Sequence, residues 1–95
     1  MVHAFATLVA RPDTVDATRE ALAALVGLSR AEDGCEHYEL FQSADDPARF
    51  QTVERWASPA AVEAHLASAH VQAAFAAAGD LLGAEPVVQS FRRVA

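Results

Sequence analysis

Residues 34–70 read GCEHYELFQSADDPARFQTVERWASPAAVEAHLASAH and hold three of the four histidines of the chain together with its one tryptophan and one tyrosine. Two β-prone runs, 36–42 and 50–57, flank a turn built from Ser43, Asp45, Asp46 and Pro47. That pattern predicts a hairpin whose loop is longer than the tightest type. The second run ends in Glu54, Arg55 and Trp56. Ser58 then offers a side-chain oxygen to the free amides of a new helix, and Pro59 takes the first helical position, where its missing N–H costs nothing. The helix carries His65 and closes near His70.

Working outward, residues 2–11 alternate loosely and predict a first strand with Val2, Ala4, Ala6 and Leu8 on one face and His3, Phe5, Thr7 and Val9 on the other. Asp13 is placed to cap a helix in which Val15, Thr18, Leu22, Leu25, Val26 and Ser29 recur at helical spacing, ending by Gly34. Beyond the hairpin, a short helix over 60–67 gives way to another over 69–82. Its inward stripe is Val71, Ala74, Phe75, Ala78 and Leu81, and Gly83 is its stop signal. A last strand spans 85–94. The order β-α-β-β-α-β, with the second helix split, predicts an α+β chain with the ferredoxin-like sandwich arrangement, an antiparallel sheet with helices on one face. No repeat, low-complexity linker or second domain is visible, so residues 1–95 read as one domain.

Composition narrows the function classes. Ninety-five residues support one core but cannot enclose a large ligand unaided, which predicts a pocket completed by a second copy. No apolar run approaches the ~20 residues that span a membrane, and no basic stretch precedes an apolar core at the N-terminus, so neither anchor nor signal peptide is expected. Cys35 is the only cysteine, which excludes an internal disulfide and suits a reducing cytoplasm. A net charge of −6 argues against nucleic acid and anionic membranes. All seven basic residues are arginine and alanine is abundant, which reads as codon bias rather than chemistry.

Five short pieces in this order resemble the antibiotic biosynthesis monooxygenase family of small cofactor-independent oxygenases and quinol monooxygenase-like proteins. They are Gly34-Cys35 with Tyr38-Glu39-Leu40, Asp46-Pro47 with Arg49-Phe50, Glu54-Arg55-Trp56, Ala64-His65-Leu66, and Ser68 with His70. The resemblance implies a dimer in which two sheets pack face to face into an α/β barrel-type assembly. It does not single out one reaction, because the same domain serves oxygenases, haem degraders and an isomerase. The haem-degrading branch uses an Asn in the first strand and an iron-ligating His in the last helix. This chain contains no Asn, and Phe75 stands at the histidine position, so haem chemistry is not expected.

Individual residues carry two readings each. Trp56 can wall a pocket and donate through its indole N–H, or close the sheet end as a core aromatic. Ala61, Val62, Leu66 and Ala69 place His65 on the inward stripe of its helix. There it either makes a structural hydrogen bond or serves as a general base, since burial favours the uncharged imidazole that can accept a proton. His70 stands five residues on, outside the i, i+4 spacing of a helical metal pair, and is placed to cap or line the entrance to the last helix. Tyr38 shares a strand face with Leu40, opposite Cys35, His37, Glu39 and Phe41. It is either a pocket residue or a core tyrosine. Glu54 shares a face with Phe50, Thr52 and Trp56, and either orients a histidine or, as the simpler reading, pairs with Arg55 or Arg92.

The four histidines show no H-x-x-x-H or H-x-E spacing, and one cysteine cannot form a zinc cluster, so no metal site is expected. The lack of a Gly-rich phosphate loop speaks against flavin, nicotinamide or nucleotide. The resulting expectation is a cofactor-independent monooxygenase acting with O2 on a quinol, naphthol or anthrone. His65 would be base, Trp56 and Tyr38 would fix the ring and its oxyanion, and Phe5, Phe50 and Phe75 would form apolar walls, with Glu54 and His70 beside them. An isomerase of a small enolisable compound and a non-catalytic small-molecule-binding dimer remain open alternatives.

Overall fold

The computed structural model describes residues 1–95. The elements are β1 (Val2–Val9), α1 (Val15–Arg30), β2 (Cys35–Gln42), β3 (Arg49–Trp56), α2 (Pro59–Ala67), α3 (Ala69–Leu81) and β4 (Val87–Phe91). The strands form one antiparallel sheet in the order β2-β3-β1-β4, and the helices pack on one face of it, the ferredoxin-like arrangement that the periodicity predicts.

The local chemistry of α2 is as its sequence requires. The Ser58 side chain accepts from the Ala61 amide at 3.2 Å, and Pro59 occupies the first turn. Three ends differ from expectation. Asp13 does not cap α1; the helix starts after Thr14, whose hydroxyl donates instead to the Leu81 carbonyl at 2.6 Å. Gly83 is not a left-handed stop for α3. The helix ends because Leu82 turns extended, and Arg11 satisfies the open carbonyls of Gly79 and Leu82 from across the molecule. The last strand is shorter than expected, five residues, and exposed along its length.

The alternation read from the sequence holds on β3, where Phe50, Thr52, Glu54 and Trp56 are all buried. Two apolar clusters result: Ala4, Tyr38, Trp56 and Val62 at one end, and Ala10, Leu22 and Phe50 at the other. On β2 the alternation breaks. An irregularity between Cys35 and His37 sets Cys35 opposite Trp56, so the thiol packs against the first cluster instead of sharing the outer face with His37. Only 14 of 95 residues are buried, and Phe41, Val87 and Phe91 stay about half exposed on the outer face of the sheet, where Phe91 meets Phe5 edge-to-face at 5.4 Å. No helix is long and apolar enough to cross a membrane.

Candidate functional site

Three local devices converge on His65. The α1–β2 connection turns at Gly34, whose φ of +82° suits glycine, and α2 lies so close that a Cβ there would stand 2.7 Å from the Ala61 Cβ. The Gly34 carbonyl accepts from the Ala57 amide at 2.8 Å, tying this turn to the entry of α2. Glu32, two residues before Gly34, is thereby presented to α2. The third device is the extended backbone of Ser68 between α2 and α3, with its hydroxyl donating to the His65 carbonyl at 2.6 Å. This break redirects the chain so that His70 faces the same carboxylate.

The His65 side chain is 6% exposed and lies between two carboxylates. Its Nδ1 is 2.5 Å from Glu32 Oε2; with the carboxylate as acceptor, Nδ1 carries the hydrogen. Its Nε2 lies 3.9 Å from Glu54 Oε1, too long for a hydrogen bond. The imidazole packs against the Trp56 ring at 4.5 Å and meets the Tyr38 ring at 5.6 Å. His70 Nε2 approaches Glu32 Oε2 at 3.1 Å.

Glu54 is 4% exposed and has no arginine partner. Its Oε1 accepts from the Trp56 indole N–H at 2.9 Å and its Oε2 from the Thr52 hydroxyl at 2.5 Å, while Thr52 Oγ1 itself accepts from the Ala6 amide at 2.9 Å. The ion-pair reading for Glu54 is therefore overturned. Strand alternation puts Arg55 on the opposite face of β3, and a neutral relay of amide, hydroxyl and indole holds the carboxylate instead.

Beside this group lies a cavity of about 90 Å³ between the sheet and the helices, walled largely by alanine, leucine and valine. Its polar lining consists of Thr18, Tyr38, Thr52, Glu54 and His65. The Thr18 hydroxyl is buried and has no hydrogen-bond partner in the chain. Burial, helped by the Glu54 carboxylate and opposed by a contact with the Ser29 hydroxyl, pushes the Tyr38 phenol above the ordinary tyrosine range, so this lining residue stays protonated. The Cys35 thiol is likewise pushed up, chiefly by burial, against an opposing backbone hydrogen bond at His37.

Of the residues singled out in the sequence, His65, Trp56, Tyr38, Glu54 and His70 come together; His70 lies behind the imidazole and not on the cavity wall. Phe75 lines the cavity from α3 but is 41% exposed, which places it toward the outside. Phe50 is fully buried in the other cluster, and Phe5 lies on the outer sheet face against Phe91; neither lines the cavity. Glu32 and Thr18 were missed as site residues. Glu32 had no signal beyond its place next to the Gly34 turn, since its partner lies 33 residues away. Thr18 was visible as one of two hydroxyls, with Ser29, on a largely apolar stripe. The expectation that the histidines cannot assemble is corrected too. Glu32, His65 and His70 gather within 4.8 Å, because the break at Ser68 removes the single-helix geometry on which the spacing rule depends.

The sequence model described as Antibiotic biosynthesis monooxygenase matches residues 1–77 of the chain. The chain belongs to the antibiotic biosynthesis monooxygenase family. Within that family it is 38% identical over 81 residues to the Mycobacterium tuberculosis protein named "Putative monooxygenase Rv0793", covering 85% of this chain and 79% of that relative. It is also 38% identical over 60 residues to "Putative monooxygenase YcnE" of Bacillus subtilis, 63% of each chain. The crystal structure of PA3566 from Pseudomonas aeruginosa superimposes with a TM-score of 0.92 at 33% identity, covering 99% of this chain and 94% of that one. Family and relatives together support a monooxygenase-like enzyme.

Proposed function

We propose that the protein is a cofactor-independent monooxygenase that hydroxylates a small electron-rich aromatic of the quinol type with O2. The observation that carries this reading is the His65 imidazole at the edge of an apolar cavity, one nitrogen occupied by Glu32 and the other turned toward the substrate space. Nε2 takes a phenolic proton, and Glu54 at 3.9 Å stabilises the resulting imidazolium. The quinolate is electron-rich enough to add O2 at a ring carbon. His65 returns its proton to the peroxide oxygen. The O–O bond then breaks as the ring C–H proton and hydroxide leave as water, and the carbonyl so formed enolises to a hydroxyquinone. One oxygen atom stays on the ring, the other leaves as water, and the substrate supplies every electron.

The Tyr38 phenol, held protonated, donates to the oxyanion, and Trp56 holds Glu54 in place while walling the imidazole. The cavity of about 90 Å³ is smaller than the ~150 Å³ void that accepts benzene, so even a single ring fits only by extending beyond it toward the half-exposed Phe75, and a second ring would lie outside. A second copy of the chain covers the outer sheet face, where Phe5, Phe41, Val87 and Phe91 would otherwise face water.

The test is oxygen consumption by metal-stripped protein with a panel of single-ring quinols and naphthoquinols. Uptake above autoxidation is expected, falling by about 10² to 10⁴ in His65→Ala, the range of general-base catalysis. Uptake unchanged in His65→Ala would remove the base from the mechanism. No uptake with any quinol would move the site to a non-oxidative isomerase or a binding role.

A further inference from the structure

The face of His65 turned away from the cavity carries a second arrangement that the oxygenation chemistry does not use. Glu32 Oε2, His65 Nδ1 and His70 Nε2 lie within 4.8 Å of one another, with the carboxylate oxygen 2.5 Å from one imidazole nitrogen and 3.1 Å from the other. We propose that these three side chains form a binding site for one divalent transition-metal ion of borderline softness, such as zinc or cobalt(II).

The donor set supports this choice. Two imidazoles and one carboxylate suit borderline metals, whereas a lone carboxylate is a poor cage for calcium or magnesium. Tetrahedral metal–ligand bonds of about 2.0–2.2 Å put neighbouring donors roughly 3.3–3.6 Å apart. The 3.1 Å pair stands within about half an ångström of that separation, the 2.5 Å pair has to open by roughly 1 Å, and the two imidazole nitrogens already lie within 4.8 Å of each other. Charge points the same way. Glu32 touches only the two histidines, Glu54 stands on the other side of His65, and no arginine pairs with either carboxylate. Two carboxylates around one imidazole favour an added cation. The donors are sheltered without being sealed, with side chains 6%, 16% and 19% exposed for His65, Glu32 and His70, which leaves a path for an ion and its remaining water ligands. They are also held from three independent anchors, the Ser58 cap, the Gly34 turn and the Ser68 break.

Glu32 and His70 do not line the cavity and His65 does, so the ion would sit behind the imidazole. A metal on Nδ1 displaces the Glu32-bound hydrogen and leaves the ring hydrogen on Nε2, which turns the cavity-facing nitrogen from proton acceptor to donor. On the reading of His65 as base, the ion therefore switches oxygen uptake off; binding itself does not depend on that reading.

The experiment titrates the metal-stripped full chain with cobalt(II) and follows the visible d–d bands, with zinc uptake measured by equilibrium dialysis. One ion per chain is expected. His70→Ala and Glu32→Gln should weaken binding at least tenfold, the scale reached even when an outer partner of a metal ligand is lost. His37→Ala, which removes the surface histidine paired with Glu39, should bind like the parent. Circular dichroism checks each fold, and His70→Gln replaces His70→Ala should the latter unfold. No d–d spectrum, equal affinity in His70→Ala, or loss of the ion in His37→Ala would overturn the site. Zinc that binds at one equivalent yet leaves oxygen uptake intact would keep the site and refute the base assignment instead.

Discussion

Replacing Thr18 by valine separates what the cavity does for folding from what it does for a ligand. Thr18 is 1% exposed on α1, lines the cavity, and its hydroxyl has no partner within the chain. A buried hydroxyl without a hydrogen bond costs about 1–3 kcal/mol, and valine keeps the shape and nearly the same helix propensity while removing that cost. For a chain of 95 residues the unfolding entropy is about 0.2 kcal/mol/K, so each kcal/mol moves Tm by roughly 5 °C. Thr18→Val should therefore melt at least about 5 °C higher. The same hydroxyl is a free partner for a substrate oxygen, so KM for a quinol should rise by about tenfold, the worth of one neutral hydrogen bond. Thr18→Ser, which keeps the hydroxyl, should retain the parent KM while losing stability with its methyl group. Thermal melts by circular dichroism and steady-state oxygen uptake read both effects. A lower Tm in Thr18→Val would show that the hydroxyl is paired and structural, and an unchanged KM would show that it touches no substrate.

Two further outcomes follow from the same geometry. Gly34→Ala combines about 1–2 kcal/mol of left-handed strain with a Cβ placed 2.7 Å from the Ala61 Cβ, so Tm should fall by roughly 10 °C or more; melting unchanged from the parent would mean that the turn relaxes freely. Tyr38 holds its proton more tightly folded than unfolded, since burial and then Glu54 raise its pKa. Below about pH 10, where unfolded tyrosine is also protonated, this contributes no pH dependence; above it the unfolded chain releases the proton first and stability declines as pH rises. Tyr38 is the only tyrosine, so the tyrosinate absorption band should appear together with unfolding, and Tyr38→Phe should flatten the decline in denaturant midpoint. A band that grows while the chain stays folded would contradict its burial.

Much of the fold was legible because its signals are local. Ser58 followed by Pro59 specifies the start of α2 from adjacent residues, and the two-residue period of Phe50, Thr52, Glu54 and Trp56 states which face of β3 is buried without knowing what buries it. His65 was visible for the same reason, as an ionisable residue on an apolar helical stripe. The errors arose wherever a neighbour distant in sequence overrode a local preference. Arg11 and Thr14 close the end of α3, so Gly83 is not needed as its stop and Asp13 is left out of the cap. The irregularity at Cys35 and His37 shifts one thiol across the sheet, and a period-two reading cannot anticipate an added residue. Phe5 and Phe50 look equally suited to a cavity wall as aromatics, but pleat direction sends one to the outer face and helix packing buries the other in a separate cluster.

The chemistry of the site was decided almost wholly at the tertiary level. Residue types showed an inward-facing histidine without its partners, whereas the chain closure that brings the Gly34 turn against α2 places Glu32 on one imidazole nitrogen, and the sheet places Glu54 near the other. Spacing rules for metal ligands assume one continuous helix; the break at Ser68 makes two helices of it, and only that geometry gathers His65, His70 and Glu32 around a common point. Periodicity constrains which way a side chain faces. What it meets there is set by packing between segments more than thirty residues apart, and that is where the partners of His65 were chosen.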